Sequence, residues 1–156
     1  MSWKKWERTM KHGEIVMMDP HEIGYDPDLT PKHDETMIVL MEQAIKGELP
    51  LYSGKVPLGL IVPFDLDYRP DTHPIGKQMI DLAFKEGSEG KLYSIIVYPR
   101  GIWFVSSDDY PYLFAAIRGR PDYVPCWILG KPDSPFVKDL RGPIAVDEVP
   151  RAFGLA

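Results

Sequence analysis

Cysteine is almost absent from this sequence: Cys126 stands alone among 156 residues. One thiol excludes an intramolecular disulfide framework and points away from an oxidising compartment. Long apolar runs are missing too, and none approaches the roughly 18–20 residues of a membrane span. The opening residues, Met1-Ser2-Trp3-Lys4-Lys5-Trp6, hold no apolar signal-peptide core. A cytoplasmic protein with no membrane contact is the expectation. Basic charge is in deficit: 18 Lys and Arg face 23 Asp and Glu, for a net charge of −5. Nonspecific affinity for nucleic acid comes mainly from cationic side chains on phosphates, so nucleic acid is a disfavoured partner. No P-loop, dinucleotide glycine fingerprint, Gly-X-Ser-X-Gly or zinc motif occurs.

Proline is plentiful. Its 16 copies are about twice average usage, yet with 13 glycines the total stays below the level that marks disorder. A chain of this length buries a real core without metal or disulfide staples. The reading is one folded domain with many hard stops. Residues 1–12 read as an N-terminal arm or short helix, 13–130 as the domain, and 131–156 as a loop-rich tail with a short element near 136–140.

Patterning predicts a strand near 14–18 and a helix over 35–46 that starts after Asp34 and stops at Gly47. Its apolar face would be Met37, Met41, Ala44 and Ile45. A strand over 58–62 stops at Pro63, and a helix over 75–86 carries Ile75, Met79, Leu82 and Ala83 on one face. A strand over 93–98 turns at Pro99-Arg100-Gly101 into a hairpin partner over 102–105. A helix follows Asp108-Asp109-Tyr110-Pro111 and stops at Gly119. The last strand, 123–129, contains Pro125, which predicts an edge strand or one that begins late.

Two segments align at a spacing of 43 residues. Pro20, Tyr25, Asp28, Pro27 and Pro31 fall in one and Pro63, Tyr68, Asp71, Pro70 and Pro74 at matching positions in the other. Gly47 and Leu49 match Gly90 and Leu92. Both copies read strand, proline-rich loop, helix, glycine, leucine. The reading is a duplicated supersecondary unit inside one domain, against coincidence in a proline-rich chain.

The segment from Val56 to Leu129 resembles the ParB/sulfiredoxin-like domain. The resemblance rests on Val56-Pro57-Leu58-Gly59-Leu60-Ile61-Val62-Pro63 as first strand, Arg69 in the following loop and Ser94-Ile95-Ile96-Val97-Tyr98 as a later strand. Ala115-Ala116-Ile117-Arg118-Gly119 matches a helix end, and Asp122-Tyr123-Val124-Pro125-Cys126-Trp127-Ile128 the last strand. It implies a small mixed α/β sheet with packed helices. It also implies a phosphate site of the Gly-X-X-Arg type at a helix N-terminus. This chain departs there, with Ser106-Ser107-Asp108-Asp109-Tyr110-Pro111-Tyr112. Two carboxylates suit a helix N-terminus but repel phosphate, and Pro111 removes a donor N–H. Sulfiredoxins hold their cysteine in that motif, whereas Cys126 lies on the last strand.

Candidate chemistry follows. Asp108 and Asp109 are metal or cation ligands, or simply helix caps. Asp65, Asp67, Arg69, Asp71 and His73 alternate along one loop and would share one side if extended, or form a solvated acidic loop. Asp65 and Asp67 are catalytic candidates in that first case. Glu22 sits after an early strand, where serine kinases related to this superfamily place a general base, so it joins them. Arg69, Arg100 and Tyr110 are ligand-binding candidates, with Arg118 and Arg120 in a small basic cluster near Arg100. The functional expectation is a divergent, non-enzymatic binding or protein-interaction module with a degraded phosphate site and no cofactor. Self-association or a protein partner goes with it. The alternative is a phosphotransferase or nuclease-like enzyme using ATP, ADP or CTP with Mg²⁺ and the acidic loop.

Overall fold

Apolar alternation sets the strands of this chain, and proline and glycine decide where many of its elements stop. The computed structural model describes residues 6–9, 15–18, 35–64, 74–90, 94–107, 110–119 and 121–155. The elements are β1 (Trp6–Thr9), β2 (Ile15–Met18), α1 (Glu35–Ile45), β3 (Leu51–Pro57), β4 (Ile61–Pro63) and α2 (Pro74–Ser88). Then come β5 (Ile95–Arg100), β6 (Trp103–Ser106), α3 (Tyr110–Gly119), β7 (Tyr123–Leu129), β8 (Lys138–Arg141) and α4 (Val149–Ala152). The fold is mixed α/β, as expected. β1 and β2 form a separate antiparallel pair. The main sheet has six strands in the order β4-β6-β5-β7-β3-β8. The β4–β6 and β5–β7 neighbours are parallel and the rest antiparallel.

Successive strand residues alternate between the two faces of the sheet. Val62, Tyr98, Val105, Leu51 and Leu129 share one face with Met37 and Ala44 of α1 and Val149 of α4. Ile61, Phe104, Val97, Ile95 and Ile128 share the other with Leu113 of α3. Phe104 and Leu113 are fully buried, each worth roughly 1.5–3 kcal/mol. α2 packs outside on α3 through Ile80, Ala83 and Ala115.

Helix ends follow from glycine. After α1 the Glu48 N–H donates to the Gln43 carbonyl and the Gly47 N–H to the Ala44 carbonyl, with Gly47 at φ +77°. This is a Schellman closure, and it needs a left-handed residue. Gly90, at φ +89°, closes α2 with its N–H on the Gly87 carbonyl. The aligned glycines of the 43-residue match therefore do the same job. The strands before them do not. β2 pairs with β1, whereas β4 joins the main sheet. The proline-rich loops, 20–31 and most of 63–74, lie outside the described residues.

Five expectations are corrected. Residues 6–9 are a strand and not a helix, because β2 supplies a partner and strand preference depends on such context. The run 56–63 is not one strand. A 3₁₀ turn at Leu58–Leu60, held by the Leu58 N–H on the Asp122 carbonyl, separates β3 from β4. Continuous apolar runs carry no period that would reveal such a break. In α2 the buried positions among the described side chains are Ile80 and Ala83, while Met79 and Leu82 are exposed and Ile75 lies outside them. The reason is that α3, not the sheet, is the surface α2 meets. β7 is central despite Pro125. Its register with β5 begins at Cys126, so the missing donor stands before that ladder starts. The hairpin turn is Gly101-Ile102, since β5 continues through Pro99 and Arg100. The loop-rich tail is tied down: β8 covers the β3 edge, and Val149 is 1% exposed. No helix among the described residues is long and apolar enough to cross a membrane.

Candidate functional site

β4 and β6 run parallel, with Val62 opposite Val105 and Pro63 opposite Ser106. Their C-terminal ends therefore lie side by side. The Phe64 N–H donates to the Ser106 carbonyl at 2.7 Å, which ties the two exits together. From one exit the chain continues through residues 65–73 to α2. From the other it passes Ser107 and residues 108–109 and enters α3 at Tyr110. Carboxyl ends of neighbouring parallel strands are where open α/β sheets place ligands.

Ser106 has no exposed surface. It follows Phe104 by two residues, so it shares the face that α3 covers. Among the described residues its Oγ has no hydrogen-bond partner, and neither has the buried Oγ of Ser107. A buried hydroxyl left without a partner costs roughly 1–3 kcal/mol. Buried polar groups are normally satisfied, so two adjacent exceptions at a strand end call for a reason. Sequence reasoning did not single these serines out. The signal was the alternation of Trp103-Phe104-Val105-Ser106, which aims Ser106 inward.

Most of the expected site residues are not among those the structure describes. Glu22, Asp65, Asp67, Arg69, Asp71, His73, Asp108, Asp109 and Arg120 lie outside the described residues. Tyr110 opens α3, as its position predicted. Arg100 stands opposite Trp103 at the start of β6. That is the other end of the strand from Ser106, about 10 Å away at strand rise. Arg118 is in the last turn of α3, where its Nη1 donates to Asp81 Oδ1 at 2.8 Å. Its guanidinium also lies 5.3 Å from the Phe84 ring centroid. Arg100 and Arg118 are thus placed apart from the β4–β6 exit.

Cys126 is buried on β7, with its Sγ 3.5 Å from the Val124 carbonyl oxygen. Among the described residues, no group of three His, Cys, Asp or Glu could hold a metal ion. No protein-family model matches the chain, and no curated protein is significantly similar to it.

Proposed function

We propose that this protein is a non-enzymatic binding module, a divergent relative of ParB/sulfiredoxin-like domains, that meets its ligand or partner where β4 and β6 end and α3 begins. The observation that carries the reading is the pair of buried, partnerless hydroxyls of Ser106 and Ser107 at that end. The parallel exit of β4 beside β6 supports it, because it brings the starts of both loops to one place. The family's phosphate motif is replaced here by Ser106-Ser107-Asp108-Asp109, so a hydrogen-bonding, non-phosphate contact fits the residues better than a nucleotide.

The runner-up is a nucleotide- and Mg²⁺-dependent phosphotransferase or nuclease-like enzyme, with Asp65, Asp67, Asp108, Asp109 and Glu22 as its acidic groups. A thermal-shift titration separates the two. Ligand that binds the native state raises the melting temperature. ATP, ADP and CTP, each with Mg²⁺, are expected to leave the midpoint unchanged. A saturable rise with any of them rejects the non-enzymatic reading and favours the enzyme.

A further inference from the structure

Away from the β4–β6 exit, α2 and α3 leave a cavity between them. It measures about 350 Å³. Phe84 on α2, Tyr112 on α3 and Tyr123 on β7 supply aromatic walls, with Pro121 and Pro125 beside them. Small residues make the room: Ala83 and Gly87 face Ala115, Ala116 and Gly119 across the helix pair. Among the described residues no charged side chain lines it. It opens to solvent on one side, where Phe84 and Ser88 are exposed, so it is a cleft in the surface rather than an interior void. Pockets for small molecules begin at about 300 Å³ and are mostly apolar with a few polar groups.

We propose that this cavity is a binding site for an uncharged two-ring aromatic molecule that carries one hydrogen-bond donor, of the naphthol or indole kind. Volume sets the size. A dry apolar cavity of about 150 Å³ accommodates benzene, so this one takes about two rings. The walls set the shape, because aromatic rings and flat proline faces favour a planar guest in offset or edge contact. The described lining sets the charge, since it offers an ion no charged partner and desolvating an unpaired ion is costly. Ser88, on the lining, offers one acceptor. Its hydroxyl donates to the Lys85 carbonyl at 2.7 Å and so presents lone pairs rather than a proton. At the rim, Arg118 is paired with Asp81 and stacked on Phe84, so it closes the helix pair without leaving a net charge.

The test titrates the full chain with naphthol and reads naphthol fluorescence, excited beyond the tryptophan band, together with the backbone amide signals of Gly87 and Gly119. One saturable site is expected, with shifts at both glycines. Two variants fill the cavity. Ala116→Leu adds carbon from one wall. Gly119→Val adds it from another, where a Cβ meets nothing closer than the Phe84 ring at 3.6 Å. Each is expected to weaken naphthol binding by about tenfold or more while keeping a cooperative melt. If Ala116→Leu does not fold, Gly119→Val decides. Methoxynaphthalene lacks the donor and is expected to bind about threefold to tenfold more weakly, a difference that Ser88→Ala abolishes. Absence of saturable binding to the wild type overturns the proposal. So does undiminished binding in a folded, filled variant. Equal affinity for the two probes in the wild type overturns the assignment of a donor-bearing ligand. Nucleotide titration reads the other end of the sheet, so the two readings fail independently.

Discussion

Ser106 occupies a position that folding alone would fill with carbon. Its neighbours Phe104 and Val105 are fully buried, and so is Ser106, yet its hydroxyl has no partner among the described residues. Removing such a group removes its desolvation cost. Ser106→Ala is therefore expected to stabilise the protein by about 1 kcal/mol, read as a melting temperature higher by roughly 2–4 °C. A lower melting temperature would show that the hydroxyl has a structural partner and would remove the support it lends to a site. Stability given up at one polar position is a common mark of function. Alternation along β6 made the inward aim of Ser106 legible. The missing partner was not, because satisfaction of a hydroxyl depends on how β4, distant in the chain, and the start of α3 are placed around it.

At the scale of elements, glycine and helix pairing carry separate predictions. Gly47 and Gly90 both close a helix in the left-handed region, where a Cβ is disfavoured by roughly 1 kcal/mol or more. Around Gly90 a Cβ would meet open space, but at Gly47 it would lie 3.2 Å from Val146 Cγ2. Chemical denaturation should show Gly90→Ala losing about 1 kcal/mol and Gly47→Ala losing more. Equal losses would mean that Val146 moves aside freely. The α2–α3 pair depends on Arg118, which is half-exposed, so solvent screens its bond to Asp81. Arg118→Ala is expected to cost about 0.5–1 kcal/mol, part ion pair and part stacking on Phe84. A double-mutant cycle with Asp81→Ala should give a coupling below about 1 kcal/mol. Helix positions and stops were readable because capping is local. The buried face of α2 was not, because Met79 and Leu82 point away from α3 and only the partner's position decides which stripe is covered.

At the scale of the whole molecule, the last residues belong to the fold. Val149 is 1% exposed in the cluster it shares with α1 and the sheet. Val149→Ala should cost about 2 kcal/mol, seen as a lower urea midpoint with an unchanged slope. A neutral result would mean that the C-terminal segment rests on the core without supporting it. Composition and order alone determined the α/β class, the helices near 35–46, 75–86 and 110–118 and the hairpin of β5 with β6. Those features depend on period, caps and turns within a few residues. Only the tertiary structure decided that the run 56–63 splits to opposite parts of the sheet and that proline-bearing β7 is central. It alone left a cavity between α2 and α3 and drew the exits of β4 and β6 together. The physical reason is the same in each case: strand neighbours and helix contacts join residues distant in sequence, so local preference carries no record of them. The near-absence of cysteine follows the same division. Sequence excluded disulfide staples, and the packed faces on either side of the sheet show what holds the chain in their place.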